Sequence, residues 1–145
     1  MNGLNAIGVR VEAASPAEAF GYTPAILREI ESLLAGLVAN GRAGRIDLRS
    51  LPLLPGDEER LAAVLGEGEV DADIQAMGAT RVRETAVPGV WWVTHANADG
   101  QTVAEFIEVA LVPEILKAHP EDVRAGRNIL QERIADLIRG GETDG

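Results

Sequence analysis

Glu84–Val109, ETAVPGVWWVTHANADGQTVAEFIEV, is the stretch on which the fold turns. Two runs with strand character, Val90 to Ala96 and Gln101 to Val109, flank Asn97-Ala98-Asp99-Gly100. That sequence suits a type I turn followed by a left-handed glycine, the three-residue hairpin loop with a bulge. The register predicted from it sets His95 opposite Val103, and Trp92 opposite Phe106 as an aromatic cross-strand pair. The segment holds both tryptophans, one of the two histidines and one of the two phenylalanines of the chain. Large side chains dominate burial and contact energy, so this ribbon organises the core, an interaction surface, or both. Adjacent strand residues point to opposite faces, so Trp91 and Trp92 cannot fill one core. One packs under the helices. The other faces the far side of the sheet and needs a partner chain, a peptide or a terminal segment over it.

Working outward, Thr23-Pro24 starts a helix, a hydroxyl N-cap followed by proline at the first helical position. Ile26, Leu27, Ile30, Leu33, Leu34, Leu37 and Val38 give it one apolar face, and Asn40-Gly41 ends it. Arg45 to Leu51 alternates as a strand. Asp57, Glu58 and Glu59 open a short helix with charges that suit its dipole, and Gly66 closes it. Glu69 to Met77 and Thr80 to Thr85 alternate again, with Gly78 between them. A last helix begins at Pro120 and carries Ile129, Leu130, Ile134, Leu137 and Ile138 to about Arg139.

Helices at both ends of a run of strands predict an α+β fold, a mainly antiparallel sheet of about five strands with helices packed on one face. The Arg45 strand, reaching the next strand through a helix, adds one parallel pair to that expectation. The domain boundaries read as an irregular leader over residues 1–22, a single domain over 23–139 and a disordered tail over 140–145.

Composition narrows the function classes. The net charge is -10, from 23 acids against 13 bases, over 145 residues. That sign argues against nucleic-acid phosphates and anionic lipid as partners, and favours basic peptides and proteins. There is no cysteine, which excludes disulfides, thiol catalysis and cysteine-ligated metal within this sequence. No run reaches membrane-spanning length, so membrane insertion is not expected and the cytoplasm is the default. Ser15, Ser32 and Ser50 lie in no glycine-flanked elbow, and no phosphate-loop or dinucleotide spacing occurs. A metal site, or a hydrolytic site, would have to use His95 and carboxylates near it. In the assumed hairpin His95 lies diagonally from Glu105; Glu108, His119 and Asp122 complete the candidates. Structural histidines are the commoner outcome of two histidines without helical pairing, and His119 is equally suited to cap the last helix. No catalytic residue and no cofactor is predicted.

A resemblance adds to this. Ile46-Asp47-Leu48-Arg49-Ser50-Leu51-Pro52, Leu65-Gly66-Glu67-Gly68-Glu69-Val70, Glu84-Thr85, Pro88-Gly89-Val90-Trp91-Trp92-Val93 with His95, and Phe106-Ile107-Glu108-Val109 with Val112-Pro113 occur in the order of the conserved region of the HupH/HyaF hydrogenase expression and formation proteins. The chain resembles that family over more than half its length. The resemblance implies a cytoplasmic, chaperone-like accessory protein in maturation of uptake nickel–iron hydrogenase. Its partners would be the precursor of the iron–sulfur small subunit, before twin-arginine export, and other maturation accessory proteins. It carries no catalytic residues over. Longer members contain additional sequence, so a homodimer that recreates a two-domain arrangement is expected. The partner-binding residues expected on this reading are Trp91, Trp92, His95, Phe106 and Glu108. The alternatives are a metal-handling or hydrolytic enzyme built on His95, and a purely structural subunit of an accessory complex.

Overall fold

The central hairpin is closed by Asn97. A computed structural model describes residues 20–143. In it, the Asn97 carboxamide oxygen accepts from the backbone of Asp99 and of Gln101, each at 3.0 Å, and Gly100 takes a left-handed φ of 82°. This Asx-type turn joins β4 (Val90–Ala96) to β5 (Thr102–Val109). Ala96 pairs with Thr102 but His95 pairs with Ala104, so Val103 is the extra residue of a bulge. The bulge corrects the expected register by one residue. Trp92 lies opposite Ile107, and Phe106 lies opposite Val93 on the other face. A one-residue slip exchanges faces, which is why the Trp92–Phe106 pair does not form. Instead the Arg45 guanidinium stacks over the Phe106 ring, 4.2 Å from its centroid.

Three more strands extend this pair. β3 (Ala79–Glu84) joins β4, and β2 (Asp71–Gln75) joins β3 through a tight turn at Met77 and Gly78, both with positive φ. β1 (Gly44–Asp47) borders β5 on the other side, giving the order β1-β5-β4-β3-β2. Every pairing is antiparallel, so the parallel pair expected for the Arg45 strand is not formed. The chain leaving β1 reaches β2 at the opposite edge, and β1 finds β5 instead. β1 is also shorter than expected. The Asp47 carboxylate accepts from Arg49 N, and the Ser50 hydroxyl donates to Asp47 O, which turns Leu48–Ser50 into a 3-10 turn.

Two helices cover one face. α1 (Thr23–Asn40) contributes Ile26 and Ile30, and α2 (Asp57–Leu65) contributes Leu61 and Leu65. They pack with Ile46, Leu48, Val90, Trp92, Ile107 and Val109 as one core. The opposite sheet face carries Val82, Trp91 and Val93, also buried within the chain. Both tryptophans are therefore covered, at 7% exposure for Trp91 and 5% for Trp92. Trp92 is the tryptophan under the helices and Trp91 the one on the far face, where its cover lies within the chain. Each indole N–H is satisfied inside, Trp91 by Ala110 O and Trp92 by the Glu105 carboxylate, both at 3.0 Å.

One carboxylate holds the two helices at their N-termini. Asp57, fully buried, accepts from the backbone of Leu54 at 2.7 Å, Tyr22 at 3.0 Å and Thr23 at 3.1 Å, and from the Thr23 hydroxyl at 2.7 Å. Arg60 completes the set at 3.1 Å. Thr23 was expected as the N-cap of α1. It is the first helical residue, and its hydroxyl serves Asp57 rather than its own helix.

The chain divides into two compact units, one ending at Pro113 and one beginning at Glu114. The second contains a 3-10 turn, Glu114–Leu116, and α3 (Pro120–Thr143). The last helix was expected to stop near Arg139. It runs on through Gly140 and Gly141, and the Thr143 hydroxyl donates to Arg139 O at 2.9 Å. Residues 1–19 of the expected leader, and 144–145 of the expected tail, lie outside the described residues.

Candidate functional site

The segment after α2 is stitched to the end of β3, and the stitching leaves a cleft. Gly66 caps α2 with φ 67°, its N–H bonded to Ala62 O at 2.9 Å. Ala86 N then donates to Leu65 O, Gly68 N to Glu84 O, and Glu84 N to Val70 O, at 2.8, 2.9 and 2.8 Å. The Glu84 side chain adds a fourth tie by accepting from Glu69 N at 2.9 Å. This contact leaves no room for a side chain at Gly68, where a Cβ would sit 2.5 Å from both Glu84 Oε1 and Thr85 O. Leu65–Val70, Glu84–Thr85 and Trp92, three segments that carry the family resemblance, thus meet at one place.

The cleft there measures about 170 Å³, between α2 and the β2–β3 hairpin. Its walls carry Glu67, Asp71 and Glu84 against Arg81 and Arg83, with Trp92 on the floor. Arg81 is held by Asp71 through two hydrogen bonds of 3.0 and 2.7 Å. That pairing lowers Asp71 and raises Arg81 from their ordinary values. Arg83 is half-buried, 5.8 Å from the Trp92 ring centroid, and has no ion-pair partner among the described residues.

Beneath α2 a second charged element adjoins Trp92. Glu105, which accepts from the Trp92 indole, is hydrogen-bonded to Glu58 on the first turn of α2. That carboxyl–carboxylate hydrogen bond, followed by partial burial and by repulsion from Glu105 and Glu59, pushes Glu58 up to about 7, against an opposing pull from Arg83. Near neutral pH Glu58 is therefore about half protonated. By contrast, burial would raise Asp57, but the Leu54 N–H, the Thr23 hydroxyl, the Tyr22 N–H and Arg60 outweigh it and hold Asp57 well below the usual carboxylate range.

A separate apolar groove of about 440 Å³ lies between α1 and α2, where Phe20, Pro24 and Leu27 face Ala63 and Val64. Phe20 and Val64 are 52% and 60% exposed.

The residues singled out from sequence do not converge. His95 shares its sheet face with Thr80, whose hydroxyl lies 2.7 Å from His95 Nδ1. Glu105 pairs with Thr94 and so points to the helix-covered face, away from His95. The bulge at Val103 thus separates the two groups that the expected register brought together. His119 belongs to the terminal unit, where its Nδ1 accepts from Glu121 N at 3.3 Å, as a capping residue does. Among the described residues no group of three His, Asp or Glu side chains is placed to hold a metal ion. Glu108 is buried, with Arg45 at 3.8 Å, and Phe106 is half-buried.

Sequence reasoning missed Arg83, Glu58 and the role of Glu67. The Gly66-Glu67-Gly68 spacing directly after a helix was the available signal for the cleft. Nothing local signals the Glu58–Glu105 pair, which only the packing of α2 on β5 creates.

An open antiparallel sheet with two helices on one face, and a polar cleft walled by a helix and a hairpin, defines the class as α+β. Residues 22–137 match the family described as HupH hydrogenase expression protein, C-terminal conserved region. The chain belongs to that family. It is 32% identical over 116 residues to hydrogenase expression/formation protein HoxQ of Cupriavidus necator, covering 80% of this chain and 40% of that protein. It is 36% identical over 119 residues to HupH of Rhodobacter capsulatus, covering 80% of this chain and 42% of that one. The chain thus spans less than half the length of these curated relatives. The solved structure of hydrogenase expression protein HupH from Thiobacillus denitrificans superposes with a TM-score of 0.77 at 49% identity, covering 80% of this chain and 97% of that one. No described helix is long and apolar enough to cross a membrane.

Proposed function

We propose that this protein is an accessory factor of hydrogenase maturation that binds a protein client, the precursor of the iron–sulfur small subunit, in the cytoplasm before export. Membership of the hydrogenase expression family supports the process. One structural observation supports binding and the kind of client. The cleft and its neighbourhood gather Glu67, Asp71, Glu84, Glu58 and Glu105 against Arg81 and Arg83, and Asp71 already neutralises Arg81. Such a surface favours a client with a basic segment, for which the twin-arginine leader is the natural candidate. The apolar groove between α1 and α2 offers contact area to the rest of the client.

The reading has a sign that can be checked. Glu58 is protonated below about 7 and ionised above it, so the site gains negative charge as pH rises through that value. Capture of the precursor should strengthen over that interval and weaken with salt. Glu58→Gln should remove the pH dependence, and Glu67→Lys, on an exposed wall residue, should weaken capture about tenfold. Precursors with and without the leader should differ in the same direction. Capture that ignores salt, pH and Glu67→Lys would remove this mechanism. Trp91→Ala and Trp92→Ala are poor probes, because both side chains are core.

A further inference from the structure

The terminal helix carries an apolar stripe with no cover. α3 spans 24 residues, about 36 Å at the usual rise, and none of its side chains is buried. Val123, Leu130, Ile134, Leu137 and Ile138 recur at helical spacing along one side, each between 48% and 76% exposed. Ile129 lies off this line. A helix of this polarity pattern is the ordinary half of a helix pair.

The charges beside the stripe select the other half. With two copies antiparallel about Ile134, Leu130 of each faces Ile138 of the other, and the two Ile134 side chains meet at the axis. The same alignment sets Arg127 of each copy level with Gly141 of the other, next to Glu142 and on the same side of the seam. Neither Arg127 nor Glu142 has an ion-pair partner among the described residues. Antiparallel helices also oppose their dipoles favourably. A parallel pair in register would instead set Arg127 against Arg127 and Glu142 against Glu142, like charges side by side with no complementary partner. The contact is isologous, so it closes as a dimer and leaves no free copy of the stripe.

We propose that α3 is a self-association surface, and that its occupant is α3 of a second copy, antiparallel about Ile134 with Arg127–Glu142 pairs at both ends. The inference stands apart from the client reading, since it concerns only the terminal unit and needs no precursor.

The test is sedimentation equilibrium of the full chain alone, from low micromolar to several hundred micromolar. The expected result is a monomer–dimer equilibrium that Ile134→Glu weakens at least about tenfold by placing two carboxylates at the axis. Arg127→Glu should weaken it too, and adding Glu142→Arg should restore it. All three sit on an exposed helix, so unchanged circular dichroism of the sheet unit separates lost pairing from lost folding. A monomeric mass throughout would overturn the proposal. A dimer indifferent to Ile134→Glu would overturn it as well, and would place association elsewhere. Arg127→Glu weakening without rescue by Glu142→Arg would overturn the antiparallel register.

Discussion

Asp57 shows how one side chain can hold two elements. Its carboxylate takes the orphan N–H groups at the start of α1 and also sits in the first turn of α2, so two helix dipoles and Arg60 stabilise one buried charge. Asp57→Ala leaves these donors and Arg60 without a partner. It should cost about 3 kcal/mol or more, read as a lower urea midpoint with the slope retained. Asp57→Asn keeps the shape but supplies one acceptor oxygen, and should fall between the two. The acid dependence follows from the sign of the shift. Because the folded carboxyl titrates below the unfolded value of 3.8, its contribution is present above that value and drains away as pH falls below it. Glu58 works in the opposite sense. Its folded pKa lies above the unfolded one, so its stabilisation is present in acid and is lost as pH rises through about 7. The two carboxyls stand next to each other in sequence, and the fold shifts their pKa values in opposite directions. Neither behaviour is legible from the run Asp57-Glu58-Glu59, which announces only a favourable first turn.

At the scale of elements, local signals placed the pieces and packing decided their register. Thr23-Pro24 places the start of α1 to within one residue and Asn40-Gly41 marks its end, and Asp57 to Gly66 delimits α2. The β4–β5 pairing was legible, but its register was not. Asn97-Ala98-Asp99-Gly100 fits a three-residue loop, and only the bulge at Val103 reveals that the extra residue sits inside β5. That single residue sends Phe106 to the face opposite Trp92 and separates His95 from Glu105. The cleft was half legible. Its glycines stand in the family motif, but their purpose is steric and depends on where Glu84 lies. Gly68→Ala tests this at the level of the element. The added Cβ would meet backbone at Thr85 O, which cannot rotate away, so the Val70–Glu84 stitching must shift. A loss of about 1–3 kcal/mol is expected, with weaker client capture accompanying it. The same change at Gly100, whose Cβ meets nothing within 4 Å, should cost about 1 kcal/mol for its left-handed φ and leave capture alone. Equal effects at both sites would show that Gly68 matters only as a flexible joint.

For the molecule as a whole, the division at Pro113/Glu114 predicts stability that differs between parts. The sheet unit has a core of ten buried side chains, whereas α3 has none buried. Helices in proteins draw most of their stability from packing, and Gly126, Gly140 and Gly141 lower the propensity of this one by about 1 kcal/mol each relative to alanine. In a monomer, α3 amides should therefore exchange with solvent far faster than those of β4 and β5, whose bonds open only with the sheet. Pairing through the Ile134 seam changes that balance by mass action. Protection in α3 should rise with protein concentration, and the sheet amides should not follow it. Hydrogen exchange at two concentrations separates these contributions in one experiment. Ile134→Glu should hold α3 at its dilute-limit rate at both concentrations while β4 and β5 stay slow. Concentration-independent protection of α3 in the wild-type chain would mean that the helix is stabilised within one copy, and the exposed stripe would then have a different purpose.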